Sequence, residues 1–170
     1  GFQEMLNNAI DHSEGNEVDI DTEWDFESIK IAIWDDGIGI FRKIKNALNL
    51  KDERESALHL SKGKFTTDRE NHTGEGIFFT SRVFDDFWIH SRGVSYRRSN
   101  MDHDWFIESA EVSKTVGTAL IMTININSKR KLQEVFSEYA HEDSDGIPKF
   151  DKTHIIVELS KLGNERYVSR

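Results

Sequence analysis

The feature that most constrains this 170-residue chain is Trp34–Ile40, W-D-D-G-I-G-I, which ends an apolar, β-branched run over Ile29–Trp34. A strand followed by two acids and Gly-x-Gly predicts a sharp reversal that brings backbone close to another group, because glycine lacks Cβ and tolerates positive φ. A carboxylate at such a strand end can accept a hydrogen bond from a planar amine such as adenine N6. Plain β-turns share the pattern, so its meaning depends on neighbouring motifs.

An amphipathic segment precedes this turn. Apolar side chains at helical spacing predict a helix over Phe2–His12, ended by Ser13–Asn16 with Gly15 as its C′ residue. A polar stripe on the same helix consists of Glu4, Asn8, Asp11 and, one turn beyond Asn8, His12. Such a stripe is usually a solvated face, so the helix alone does not indicate a function.

Alternating apolar and polar residues predict a sheet. Val18–Trp24 is typical of a half-buried strand, and Asp25–Ser28 of a hairpin loop that leads into the strand Ile29–Trp34. Further strands are predicted at Phe87–Ser91, Val94–Ser99, Trp105–Ser109 and Thr118–Ile126, and further helices at Phe41–Leu50, Glu53–Leu60, Ile77–Phe84 and Lys129–Tyr139, the last with Ser128 as N-cap. Two antiparallel strands directly after a helix favour a sheet with helices on one face.

Two polar segments are candidates for phosphate contact. Ser61–Thr73 has a central glycine and is the best candidate for a mobile loop, although without context a plain solvated loop is the preferred interpretation. Its basic residues are Lys62, Lys64 and Arg69. Gly74-Glu75-Gly76 then begins an apolar helix, and Gly-x-Gly at a helix N-terminus leaves free N–H groups at the positive end of the helix dipole. Many helices begin near glycine, so this signal is weak by itself.

Composition excludes several classes of function. The net charge of −9 argues against a nucleic-acid-binding surface, which needs a basic face, but leaves room for a nucleotide neutralised by Mg²⁺ and a few lysines. The chain has no cysteine for disulfide or thiolate chemistry, and its seven scattered histidines make a protein-held metal site improbable. No apolar run reaches the roughly 18 residues of a spanning helix, and no signal peptide is visible. We therefore expect a cytoplasmic protein without a membrane segment in this chain.

The C-terminal part predicts a boundary. Ala140–Lys149 is polar, contains Pro148 and predicts a linker, after which His154–Leu159 gives a fresh strand signal. We expect one domain over residues 1–140 and, over residues 141–170, the linker and first strand of a following module. Because the sequence begins inside a predicted helix, we also expect it to be a piece of a longer protein.

Four signals in this order resemble the GHKL ATPase superfamily, and the resemblance covers roughly Phe2–Ile126. They are E-M-L-N-N-A-I-D-H (Glu4–His12), D-D-G-I-G-I (Asp35–Ile40), G-E-G-I (Gly74–Ile77) and G-T (Gly117-Thr118). The resemblance implies a two-layer α/β sandwich of the Bergerat type, with a mixed, mostly antiparallel sheet and helices on one face. It also implies ATP and Mg²⁺ as cofactors.

Matching these motifs residue by residue implies the following roles. Asn8 would coordinate Mg²⁺ that bridges the phosphates, and Glu4 would polarise the attacking water or hydroxyl. Asp35 would accept from adenine N6, and Thr118 would contact adenine, usually through a water. The other implied nucleotide-binding residues are Asp11 and His12 in the N-box, Gly37, Gly39 and Ile40 in the G1 box, Gly74, Gly76 and Ile77 in the G2 box, and Lys62 and Lys64, with Arg69, in the ATP lid.

Departures from the pattern shape the functional hypotheses. Histidine kinases usually carry a basic residue where Asp11 stands. The histidine at position 12 resembles the pattern of anti-sigma-factor serine kinases, which often carry His near that position. The phenylalanine-rich G2 helix and short lid resemble bacterial members in which this domain precedes a STAS-like domain. The resemblance implies a signalling or regulatory protein that binds Mg²⁺-ATP and hydrolyses it slowly or transfers phosphate to a protein Ser/Thr. The alternative is a nucleotide-gated interaction module without turnover, and the least specific reading is a globular α/β domain whose glycines only make turns.

Overall fold

The computed structural model describes residues 1–63, 75–100, 105–108, 116–142 and 148–150. The elements within these residues are α1 (Phe2–His12), β1 (Val18–Trp24), β2 (Ser28–Asp35), α2 (Ile40–Leu48), α3 (Glu53–Lys62), α4 (Gly76–Val83), β3 (Asp86–Ser91), β4 (Val94–Ser99), β5 (Trp105–Glu108), β6 (Ala119–Asn125), α5 (Leu132–Tyr139), β7 (Ala140–Glu142) and β8 (Pro148–Phe150). None of the helices in these ranges is long and apolar enough to cross a membrane. The predicted alternation of helices and strands through α5 is confirmed.

The main sheet contains six strands in the order β1-β2-β6-β3-β4-β5. The strand pairings in the described residues are all antiparallel. This agrees with the expectation of a mostly antiparallel sheet. The late strand β6 lies between β2 and β3, so Leu120 is opposite both Ile33 and Ile89. This insertion brings the Gly117-Thr118 pair beside Asp35 at the end of β2.

The core lies between one face of this sheet and the helices. Strands β2, β6, β3 and β4 each direct alternate apolar side chains into it, as the period of two in a strand requires. The fully buried members include Met5, Ile33, Phe41, Ile44, Leu60, Phe87, Ile89, Tyr96, Leu120 and Met122. A second cluster joins α4 to α5 through Phe78, Phe79, Val135 and Tyr139. The molecule is therefore the expected two-layer α/β sandwich, with the helices on one face of the sheet.

Several predicted boundaries are corrected by local contacts. The C-cap of α1 is Ser13, so the C′ position belongs to Glu14, with a positive φ of 59°, and not to Gly15 as predicted. Helix α3 continues through Ser61 and Lys62, so the polar loop begins later than predicted. Ser61 belongs to the helix because it is buried and its hydroxyl donates to the Leu58 carbonyl at 2.9 Å.

The C-terminal part also differs from the prediction. Helix α5 begins at Leu132, so Ser128 is not its N-cap, and the Ser128 hydroxyl instead donates to the Asp85 carboxylate at 3.1 Å. Two short strands, β7 and β8, pair with one another over the predicted linker and the residue after it. Lys64, Arg69, Gly74 and the predicted strand His154–Leu159 lie outside the described residues.

Candidate functional site

A cavity of about 490 Å³ opens between the sheet and the helices α1, α2 and α4. Its apolar wall includes Ile33, Ile89 and Leu120 from three adjacent strands. Nine of the site residues predicted from the sequence line it: Glu4, Asn8, His12, Asp35, Gly39, Ile40, Gly76, Ile77 and Thr118. An apolar pocket with a few convergent polar groups is the usual form of a small-molecule site.

Asp35 is fixed at the end of β2 by the loop that precedes β6. The backbone N–H groups of Gly37 and Thr118 donate to its Oδ1 at 3.0 and 3.2 Å. In return, the Asp35 N–H donates to the Thr118 carbonyl at 3.0 Å. Burial raises the pKa of the Asp35 carboxyl, and the hydrogen bonds from Gly37 and Thr118 only partly oppose this effect.

The turn after β2 and the loop before β6 each contain a glycine with positive φ. Gly39 has a φ of 88° and Gly117 has a φ of 85°. A Cβ at Gly39 would overlap the hydroxyl of Ser91, and one at Gly117 would overlap the Asp35 carbonyl. The buried Ser91 hydroxyl donates to the Gly117 carbonyl at 2.7 Å. The two glycine loops therefore lock together at one end of the sheet.

Thr118 joins the turn to the helix that follows it. Its Oγ1 accepts a hydrogen bond from the Ile40 N–H at 3.0 Å, although 78 residues separate them. This bond satisfies a backbone donor in the first turn of α2, where helices lack internal acceptors. Thr118 thus touches both the carboxylate of Asp35 and the N-terminal turn of α2.

The C-terminal end of α1 is clamped against the same turn. The Ile38 N–H donates to the Ser13 carbonyl at 2.9 Å, and a Cβ at Gly37 would overlap that carbonyl. Lys43 of α2 donates to the His12 carbonyl at 2.6 Å and forms an ion pair with Glu14 at 3.0 Å. A cation at the C-terminal end of a helix is favourable because the carbonyl groups there are unpaired.

Asp36 holds the next part of the chain. Its Oδ1 accepts from the N–H groups of Asn16 and Glu17 at 2.7 and 3.0 Å. These bonds hold the pKa of the Asp36 carboxyl below its usual value. The second acid of the motif therefore anchors the α1–β1 connection, while the first lines the cavity.

At the opposite side of the cavity, Glu4 lies against the first turn of α4. A Cβ at Gly76 would overlap the Glu4 carboxylate, so glycine leaves the space that this side chain occupies. Asn8 lies one helical turn further along α1, is partly buried and lines the same cavity. The amide oxygen and the carboxylate are therefore both available where α1 faces the N-terminus of α4.

Not every predicted residue reaches the cavity. Asp11 is exposed on α1, Gly37 is buried behind the turn, and Lys62 is exposed at the end of α3. None of these three lines the cavity. Lys64 and Gly74, which were also predicted, lie outside the described residues.

Sequence reasoning missed Lys43, Ser91 and an apolar extension of the cavity. Lys43 is the only lysine or arginine among the described residues of the wall, which also carries the carboxylates of Glu4, Asp35 and Glu75. The apolar extension includes Phe79 and Phe136, whose rings stack at 4.0 Å. A helical repeat identified the apolar face of α2, but nothing in it signalled that Lys43 would meet His12 across 31 residues.

This sandwich, with glycine turns closing one end of a cavity, defines a nucleotide-binding class of α/β domain. The chain belongs to the family of histidine kinase-, DNA gyrase B- and HSP90-like ATPases, whose model matches residues 2–126. It is accordingly an ATP-binding domain of the GHKL type. Among curated proteins, no relative matches the chain.

Proposed function

We propose that this domain binds ATP with Mg²⁺ in the described cavity and supports slow hydrolysis or phosphate transfer to a protein Ser/Thr. We place it in a bacterial, cytoplasmic signalling or regulatory protein, with a STAS-like module after residue 140. The observation that carries the binding site is the convergence of Asn8, Asp35, Gly76 and Thr118 on one cavity. These residues come from four separate parts of the chain, and coincidental turns would not bring them together.

The adenine end of this site is Asp35 with Thr118. The backbone N–H groups of Gly37 and Thr118 both donate to Oδ1 of Asp35, and Oδ2 would accept the hydrogen bond from the adenine amine. Guanine carries a carbonyl at the equivalent position, and its oxygen would face the carboxylate oxygen. The site should therefore select adenine over guanine by at least one charge-assisted hydrogen bond.

The phosphate end is the first turn of α4 opposite Asn8 and Glu4. Oxygen donors suit Mg²⁺, which commonly takes one or two protein ligands and completes its shell with water and phosphate oxygens. The Asn8 amide oxygen and the Glu4 carboxylate are oxygen donors of this kind on the cavity wall. Asn8 would hold the ion, and Mg²⁺ would neutralise phosphate charge beside the three carboxylates of the wall.

Glu4 is the proposed general base. Its carboxylate would accept the proton of the attacking water or hydroxyl as that oxygen bonds to the γ-phosphorus and the bond to the β-phosphate oxygen breaks. In phosphoryl transfer the protein mainly positions groups and neutralises charge. A positioned base contributes typically about 10²–10⁴-fold to the rate. Glu4 is held for this role by packing against Gly76.

Two variants of α1 test these assignments. Asn8→Ala should lose Mg²⁺-dependent ATP binding in calorimetry, whereas Asn7→Ala, at an exposed position on the same helix, should bind normally. Glu4→Gln keeps the size of the side chain beside Gly76 and should bind ATP but release phosphate at the background rate. Glu138→Gln on the exposed side of α5 is the matched carboxylate control.

Turnover is measured on the full-length protein. Phosphate release and transfer of radiolabelled phosphate to a STAS-like partner are measured in the same samples. ATP binding without activity above the Glu4→Gln background would identify the nucleotide-gated interaction module instead of an enzyme. Equal affinity of Asn8→Ala and Asn7→Ala for Mg²⁺-ATP would remove Asn8 from the metal site.

A further inference from the structure

Among the described residues, the outer edge of β1 is unpaired and carries exposed acidic and apolar side chains. Strand β1 is the end strand of the six-stranded sheet, and every residue after Val18 in it is exposed. No described strand pairs with its outer side. Trp24 is 76% exposed, and Phe26 at the tip of the β1–β2 hairpin is 92% exposed. Exposed large aromatic side chains next to a free edge are typical of interaction surfaces.

The hydrogen bonds at both ends of the hairpin establish which backbone groups point outward. The Asp25 N–H donates to the Ser28 carbonyl at 3.1 Å, and the Asp36 N–H donates to the Glu17 carbonyl at 3.4 Å. Odd-numbered residues of β1 therefore pair with β2. Because the N–H and C=O of one residue point to the same side, the even-numbered residues Ile20, Thr22 and Trp24 present theirs to the open edge.

The side chains of β1 form two rows of different character. Asp19, Asp21 and Glu23 project to the sheet face opposite the helices, on the same side as Ala32 and Trp34. Asp21 and Glu23 border a shallow groove of about 190 Å³ whose other walls include Trp34 and Ile121. Ile20 and Trp24 project to the helix-bearing face, and both remain exposed there, Ile20 at 47%.

Charge restricts what this edge can bind. Residues 17–27 include six acidic side chains and no basic one: Glu17, Asp19, Asp21, Glu23, Asp25 and Glu27. Lys30 of β2 pairs with Glu23 at 3.1 Å, whereas Asp19 and Asp21 form no ion pair within the described part of the chain. A second copy of β1 would place acids against acids, and like charges directly opposite one another destabilise a strand pair. Anionic lipid and nucleic acid are disfavoured for the same reason.

We propose that β1 docks an extended segment of a partner protein, which adds antiparallel to its outer edge as a seventh strand. The added strand carries basic side chains at alternate positions over Asp19 and Asp21, and apolar side chains beside Ile20 and Trp24. Strand addition of this kind takes its affinity from main-chain hydrogen bonds and its specificity from alternate side chains. No residue of β1 lines the cavity, and the proposal is independent of the proposed ATP chemistry.

The register gives a sharp test with synthetic peptides. In an antiparallel pair, directly opposite residues project to the same face, so the apolar residues of the added strand must exchange hydrogen bonds with Ile20, Thr22 and Trp24. A capped, fluorescently labelled heptapeptide that alternates lysine and valine should bind the full chain. N-methylation of its valines should abolish binding, whereas N-methylation of its lysines, whose N–H groups point away, should leave it within about threefold.

Protein variants supply the matched controls. Asp19→Asn with Asp21→Asn should weaken the peptide roughly fivefold, and added salt should reduce this difference. Glu134→Gln with Glu138→Gln removes two exposed charges from α5 and should leave binding unchanged. Trp24→Ser should weaken binding as well, and because Trp24 is 76% exposed the fold should tolerate it.

Amide chemical shifts of residues 18–26 report the docking position. Equal binding of the two N-methylated peptides, or an unchanged affinity in the Asp19/Asp21 double variant, would overturn the proposal. So would shifts confined to residues outside β1. A concentration-dependent dimer lost in Trp24→Ser would assign the edge to a second copy, and binding to anionic vesicles but not the peptide would assign it to a membrane.

Discussion

Two adjacent acids, Asp35 and Asp36, have opposite environments. Asp35 loses solvent in the cavity wall, which raises its pKa, while Asp36 gains two backbone N–H donors in an exposed loop, which lower its pKa. A buried carboxylate is destabilising for the empty domain, and a hydrogen-bonded surface carboxylate is stabilising. One side chain is therefore suited to bind a ligand and the other to hold the loop.

Replacing Asp35 by Asn should separate binding from stability. The amide cannot accept from adenine N6 as a carboxylate does, so we expect the loss of about 1.5–3 kcal/mol and a roughly tenfold or greater fall in ATP affinity. Because burial raises the pKa of Asp35, its negative charge costs more free energy in the folded domain than in the unfolded chain, so the nucleotide-free variant should not melt at a lower temperature. Calorimetry and thermal denaturation measure the two effects, and an unchanged ATP affinity would remove Asp35 from the site.

The pKa of Asp36 is shifted in the opposite direction to that of Asp35, so Asp36 should contribute to the stability of the fold in a pH-dependent way. Its folded-state pKa is lowered from the ordinary value of 3.8, so its stabilising effect is present above that value and is lost as the pH falls through the folded-state pKa. Asp36→Ala should therefore melt below the wild type at pH 7, and the difference should disappear in strong acid. A difference that stays constant down to the acid limit would contradict this role. Asp21→Ala, which removes an exposed aspartate from β1, is the control.

Helix α1 depends on the residues that clamp its C-terminal end. Only Met5 is fully buried on this helix, so packing alone holds it weakly. Lys43 supplies a charged hydrogen bond to the His12 carbonyl from the neighbouring α2. The position of Asn8 and Glu4 in the cavity therefore depends partly on a residue of another helix.

Lys43→Met should disturb this clamp. The bond to His12 joins a charged donor to a helix-end carbonyl, a type of hydrogen bond that contributes about 1.5–3 kcal/mol. The ion pair with the exposed Glu14 contributes about 0–1 kcal/mol. We expect a lower melting temperature and weaker Mg²⁺-ATP binding, whereas Lys45→Met on the same helix should change neither. Wild-type behaviour of Lys43→Met in both measurements would show that the clamp is not needed.

Local patterns in the sequence predicted the elements better than their ends. Alternation located β1, an apolar β-branched run located β2, and the helical repeat located α1, because these patterns depend on near neighbours in the chain. The predicted start of helix α5 was too early. Serine is a favoured N-cap residue, but the Ser128 hydroxyl donates to the Asp85 carboxylate instead. The cavity residues were predicted through a resemblance of motifs. The bonds that position them, such as Ser91 to Gly117 and Ile40 to Thr118, join distant parts of the chain and have no local signal.

At the scale of the whole molecule, the cavity is where separately formed parts of the fold meet. Its wall combines residues of α1, α2 and α4 with the ends of β2 and the loop before β6. Helix α1 is the least buried of these parts, with Ile10 60% exposed and Phe2 36% exposed. Segments with few buried apolar contacts open locally at a lower free energy than the rest of a domain. A ligand that touches α1, the sheet and α4 together should therefore stabilise α1 most.

Hydrogen exchange provides the measurement. At a concentration about one hundred times its Kd, a ligand that binds only the closed state stabilises that state by about 2.7 kcal/mol. If an amide exchanges only through an opening that destroys the site, its exchange rate then falls about 100-fold. Mg²⁺-ATP should slow the α1 amides by this order. The tip of the β1–β2 hairpin, roughly 20 Å along β2 from Asp35, opens without disturbing the cavity and should exchange at an unchanged rate.

The Asp35→Asn variant and GTP are the controls for this experiment. At the same nucleotide concentration, a tenfold lower affinity should reduce the slowing of α1 exchange from about 100-fold to about tenfold in Asp35→Asn, and GTP should likewise slow α1 less than ATP does. If saturating Mg²⁺-ATP slows the hairpin tip as much as α1, the stabilisation is not local to the cavity. If it slows neither, the nucleotide does not bind between α1 and α4, and the phosphate end of the site must be sought elsewhere. Slowing confined to α1 and the first turn of α4 would instead show that the nucleotide connects the least stable helix to the rest of the domain.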